Sequence, residues 1–224
     1  MSTSALNDYM RVVRSRLPLL WTIVQGLLVL ALTTQQAHAA VECEAFQWMP
    51  ERLDYHAAKD RRRISDVERH HFDAGVESLV HGKTGVFPGG DIDFLVRYSP
   101  NHHRGLAALV RLSLRDKTPK PRGVNISVEC YLLRALEFSP TDAEVHKIYG
   151  TYLGRLGRQP EAIARFEQAE KLSPDDPVIA YNLGLLLTEK RDFERARMYA
   201  EKAYAGGVQL PGLRDKLARQ GQWR

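Results

Sequence analysis

The residues that usually announce a catalytic chain are scarce here. Cysteine occurs twice in 224 residues, at Cys43 and Cys130, and both are explained as one disulfide. No serine stands in a strand–turn–helix elbow, so no nucleophile is evident. Gly82-Lys83-Thr84 ends like a phosphate-binding loop, but the glycine required five positions earlier is Glu77 and no buried strand precedes it; the segment reads as a turn. No two histidines stand at the i, i+4 spacing that lets one helix face hold a metal, and within the doublets His70-His71 and His102-His103 the side chains point about 100° apart on a helix. Charge of one sign is also in short supply. The formal net charge is +5 at pH 7, and the densest basic run, Lys59 with Arg61-Arg62-Arg63, is interleaved with Asp60 and Asp66, a solvated helix face rather than a nucleic-acid footprint. The sequence thus points to no enzyme, no cofactor, no metal and no nucleic acid. The one alternative it keeps open is a metal-binding protein or enzyme with a histidine-containing site in region 44–115, if side chains of the doublets converge in space.

Long apolar runs are missing too, apart from Leu17 to Leu32, interrupted by Thr22, Gln25 and Gly26. That run falls short of the roughly 20 residues needed to span a bilayer. Preceded by Arg11, Arg14 and Arg16 and followed by Ala37-His38-Ala39, it reads as a signal peptide of residues 1–39, cut before Ala40. The expectation is a periplasmic protein without stable membrane insertion; the alternative is an anchor left uncleaved. A lipidated Cys43 is disfavoured by Glu42, since lipidation signals place a small residue there. In an oxidising compartment Cys43 and Cys130 pair across 87 positions, pinning the mature N-terminus to the body and stabilising it by about 4–5 kcal/mol in a chain-entropy estimate. Asn125-Ile126-Ser127 is a glycosylation sequon, of consequence only in a eukaryotic secretory pathway.

What is present is repetition. Ala143–Ser173 and Pro177–Gly207 align at an offset of 34: Gly150 with Gly184, Leu153 with Leu187, Ala162 with Ala196, Ala169 with Ala203. With Tyr149, Gly157, Phe166 and Pro174 completing the first unit, the pattern resembles the tetratricopeptide repeat (TPR), a 34-residue pair of antiparallel helices with small residues where the helices cross. The second unit, with Leu183, Phe193 and Ala200, places Arg191 where the turn glycine of the family stands. Ser-Pro recurs at Ser99-Pro100, Ser139-Pro140 and Ser173-Pro174 as a helix stop.

The predicted fold is all-α, about four TPR-type helix-turn-helix units in a short right-handed superhelix. Residues 40–60 form an irregular lead-in and 61–140 degenerate helical pairs. In that stretch helices are expected over 65–80, 91–98, 104–114, where Asn101 is the expected cap, and through Val128–Leu136. Two repeats follow over 141–210, then a C-terminal capping helix and tail over 211–224.

Because partner contacts in this family come mainly from the first helix of each pair, the resemblance implies a concave groove lined by Lys147, Thr151, Arg155, Tyr181, Asn182, Leu185 and Glu189. Members that clamp a peptide's terminal carboxylate place Lys and Asn where Lys147 and Asn182 stand; a further expected Asn is Thr151 here, which favours a mixed polar and apolar surface. The function implied is a non-catalytic interaction module, a scaffold or adaptor of the bacterial envelope that binds a protein or peptide partner.

Overall fold

The computed structural model describes residues 41–45 and 49–223. The chain divides into two units, Met1–Glu42 and Cys43–Arg224, and everything below concerns the second. The expected signal peptide and its cleavage site lie outside the described residues.

Among the described residues every regular element is a helix. In chain order these are α1 (Arg61–His71), α2 (Ala74–Glu77), α3 (Pro88–Tyr98), α4 (His103–Asp116), α5 (Val128–Phe138), α6 (Ala143–Arg155), α7 (Gln159–Leu172), α8 (Pro177–Glu189), α9 (Phe193–Ala205) and α10 (Gly212–Arg219). No helix is long and apolar enough to cross a membrane among these residues.

One turn, used three times, joins the pairs. Ser99, Ser139 and Ser173 are the C-caps of α3, α5 and α7. Each is followed by a proline, which cannot continue the helix. Two residues beyond the proline, a side chain caps the next helix. Asp142 accepts from the Glu144 and Val145 N–H groups, Asp176 from those of Val178 and Ile179, and His102 from Gly105. The backbone closes the same way each time, from His102 N to Ser99 O at 3.0 Å, Asp142 N to Ser139 O at 3.2 Å and Asp176 N to Ser173 O at 3.3 Å. Caps of this kind contribute about 1 kcal/mol each.

Within the pairs, small residues let helices touch. A Cβ at Gly150 would lie 2.7 Å from the Phe166 ring, so α6 and α7 close on that aromatic side chain. The position 34 beyond Phe166 is Ala200, and the gap is filled from outside the repeat: a Cβ at Gly184 would lie 2.6 Å from Leu213 of α10. Leu213 and Leu217 are both fully buried, so α10 closes the apolar face of the last pair.

Three expectations need correction. The helix expected over 65–80 is two: α1 ends at His71, and Asp73 starts α2 by accepting from the Val76 N–H. The helix expected from Asp91 begins at Pro88, whose fixed φ suits the first turn. Asn101 does not cap α4; His102 does, and Asn101 is instead fully buried, receiving the Tyr55 N–H at 3.0 Å and donating to Asp54 at 2.9 Å.

The lead-in is therefore fixed against the body. Leu53 is buried and its N–H reaches Tyr98 O at 2.7 Å. Cys43 is bonded to Cys130 of α5, with their Cα atoms 5.5 Å apart.

Candidate functional site

Five of the seven side chains expected in the groove line one cleft of roughly 310 Å³. Thr151 and Arg155 come from α6, and Asn182, Leu185 and Glu189 from α8. Gly150 and Gly154 of α6, Phe166 of α7 and Leu186 of α8 form its base, and Lys216 of α10 reaches its rim. The local cause is helical periodicity: Thr151 and Arg155 are four apart, as are Leu185 and Glu189, so each pair occupies one helix stripe. The glycines of α6 add no side chain, leaving the cleft open above Phe166.

Polarity is graded across the cleft. Leu185 and Leu186 are apolar and half-buried or buried, packed against the core. Thr151 turns its hydroxyl back to Lys147 O at 2.9 Å, and Asn182 donates its amide to Val178 O at 2.8 Å, keeping its carboxamide oxygen for a ligand. Glu189 is held by Lys216 and by Gln159 Nε2 at 2.9 Å. Arg155 is exposed, and among the described residues it makes no hydrogen bond or ion pair. It also lines a second cleft of about 390 Å³, together with Lys117, Thr118, Glu129 and Leu156.

The other two expected residues are elsewhere. Lys147 is bound between Glu144 Oε2 at 2.6 Å and Asp176 Oδ2 at 2.9 Å, and does not line the cleft. Burial pushes the Asp176 carboxyl up, but Lys147 and the N–H groups at the start of α8 outweigh it and hold it below the ordinary range. Tyr181 is only 8% exposed, and its hydroxyl faces the first turn of α10, 2.9 Å from where a Cβ on Gly212 would stand. It is a packing residue beneath the terminal helix rather than a free anchor. The cause is α10 itself, whose docking the sequence pattern did not position.

The histidine doublets do not combine with each other. His71 Nδ1 meets the buried Asp91 carboxylate at 3.0 Å and stacks on Phe94, while the fully buried His102 gives its Nε2 to Glu68 at 3.0 Å. A grouping the sequence did not reveal joins His103 to His56 of the lead-in and to Asp142, the cap of α6. Its ligand atoms all lie within 4.8 Å of one another. The signal was missed because its members are 39 and 86 positions apart.

Among known proteins, a family model described as a TPR repeat matches residues 155–190, from the last residue of α6 through α7 to the end of α8. No curated protein matches the chain. Solved structures are similar too, among them the following two. One is YrrB, titled a TPR protein with an unusual peptide-binding site, at 21% identity and a TM-score of 0.43 over 60% of this chain; the chain covers 64% of that structure's length. The other is PilF of Pseudomonas aeruginosa, at 16% identity and a TM-score of 0.34 over 73% of this chain and 89% of that one. That repeat match, together with paired helices at a 34-residue offset, shows tetratricopeptide-type repeats in the C-terminal half of this all-helical chain.

Proposed function

We propose that the chain is a non-catalytic adaptor or scaffold of the bacterial envelope whose α6–α8 cleft binds an extended peptide segment of a partner protein. TPR folds serve in general as protein-interaction modules, and the observation that carries the finer reading is convergence. Residues assigned to partner contact from repeat position alone, on two different helices, meet in one cleft with an unpaired cation, Arg155, at its edge. An apolar floor at Leu185 and Leu186, amide chemistry at Asn182 and a free guanidinium suit a segment with one apolar side chain, an exposed backbone and a carboxylate. The N-terminal basic and apolar run supports an exported protein, so the partner is sought in the envelope.

The test is a peptide library selected against the purified chain, followed by affinity measurement for Arg155→Glu and Leu185→Glu. Each is expected to weaken selected peptides about tenfold or more, equivalent to about 1.4 kcal/mol, and the exposed Arg155→Glu to do so with the melting temperature nearly unchanged. Peptides that bind both variants as well as the parent chain place the binding surface elsewhere.

A further inference from the structure

We infer that His56, His103 and Asp142 form a binding site for a divalent first-row metal ion of the zinc class, at the joint between the lead-in and the first repeat. One ligand atom from each of the three residues lies within 4.8 Å of the other two. His56 Nε2 lies 2.9 Å from Asp142 Oδ2, and His103 Nε2 lies 2.9 Å from the same oxygen and 3.0 Å from Oδ1. In a tetrahedral site with metal–ligand bonds of about 2.0–2.2 Å, neighbouring ligand atoms stand about 3.3 Å apart. The donors therefore need to open by only a few tenths of an ångström to admit an ion. Two imidazoles and one carboxylate are a donor set that favours transition metals over calcium or magnesium.

The surroundings fit. Asp142 has a 1% exposed side chain, its Oδ1 fixed by the Glu144 N–H at 3.1 Å and the Val145 N–H at 3.2 Å, so one ligand is held in place by the helix start. His103 is 18% exposed and packed against Tyr55 at 4.9 Å between ring centroids. His56 is 56% exposed, which gives an entry path and a fourth position open to water. Three protein ligands with one open position is the arrangement of exchangeable and catalytic zinc sites rather than closed structural ones.

Capping alone does not require the histidines. Asp176 performs the same cap one repeat later, bonded to Val178 N at 2.8 Å, with Lys147 as its side-chain partner among the described residues. The two imidazoles that converge on Asp142 from separate segments are an addition to that turn. In the ion-free protein each Nε2 carries a proton toward the carboxylate. Metal binding requires each Nε2 to give up that hydrogen and turn its lone pair to the ion.

The experiment uses tag-free full chain, stripped with chelator and titrated calorimetrically with Zn²⁺, with Co²⁺ as a spectroscopic probe. One ion per chain, the visible absorption of four-coordinate Co²⁺ and a zinc-dependent rise in melting temperature are expected. His56→Gln and His103→Gln should each weaken Zn²⁺ by at least about tenfold to a hundredfold, since loss of outer-shell partners alone costs that much, and should abolish the thermal shift. His81→Gln, whose ring meets Gly82 O and packs on Gly75 outside this cluster, should change neither. Failure of the parent chain to bind one ion, or binding that survives both His56→Gln and His103→Gln, overturns the assignment and leaves Asp142 as a cap that accepts from His56, His103 and Asn101.

Discussion

Arg191 shows what a single position decides inside a repeat. Both units turn between their helices through the same pair of backbone bonds, Gly157 N to Gly154 O and Arg158 N to Leu153 O in the first, Arg191 N to Thr188 O and Asp192 N to Leu187 O in the second. That turn requires a left-handed residue, and the two occupants have φ of +77° and +64°. Glycine adopts it without cost, whereas a residue with a Cβ is disfavoured there by about 1–2 kcal/mol. Arg191→Gly is therefore expected to stabilise the chain by about 0.5–1 kcal/mol after the added freedom of the unfolded state is deducted, read as a higher midpoint in urea. An unchanged or lower midpoint means that Arg191 makes a compensating contact. At the same scale, Thr151, Arg155, Asn182, Leu185 and Glu189 were legible as cleft residues because the resemblance to the repeat names those positions, and helical periodicity holds each set on one stripe. Tyr181 was not, because its surroundings come from a helix about 30 residues further on.

At the level of elements, α10 is the part that makes the last pair viable. In the first pair Gly150 receives the Phe166 ring; in the second the corresponding aromatic is absent, and Leu213 takes the space over Gly184. Leu213→Ala should cost about 2–5 kcal/mol, the range for deleting a fully buried leucine, and should loosen α9 and α8 ahead of α6 in hydrogen exchange. Gly150→Leu and Gly184→Leu should each cost about 1–3 kcal/mol from overpacking. Gly150 is expected to be the worse of the two, because a ring between two long helices has less room to withdraw than the end of a leucine on an eight-residue terminal helix. Equal melting of parent and both variants would break the helix register described here. The 34-residue pairing was readable since its determinants are local: a stop at Ser-Pro, a small residue at the crossing, an apolar stripe. The break between α1 and α2 was not, because Val76, Leu79 and Phe72 keep an apolar pattern across it while Asp73 supplies a new cap.

For the folded unit as a whole, the question is what holds the lead-in from Cys43 to Asp60, whose described residues contain no helix, on the helical body. Attachments are spread along it, beyond the Leu53 N–H to Tyr98 O and His56 to Asp142 contacts. The disulfide joins Cys43 to the fully buried Cys130, Arg134 donates to Glu44 O at 2.9 Å, and Asn101 bonds both Tyr55 and Asp54 near the histidines that meet Asp142. None of these was legible as a contact except the disulfide, because each depends on segments brought together only by the finished fold. The bond closes a loop of 87 positions, so its main effect is on the unfolded chain, and its loss is expected to lower stability by about 2–5 kcal/mol. Cys43→Ser is the cleaner probe, since Cys43 is only partly buried and its change leaves the α5 interior nearly intact. Hydrogen exchange of that variant should rise first in residues 49–57, while the cleft between α6 and α8, built from residues 150–216, keeps its protection and its peptide affinity. If peptide binding falls in step with the loosened lead-in, the cleft and the N-terminal segment are one cooperative unit, and the binding surface extends beyond the two repeats.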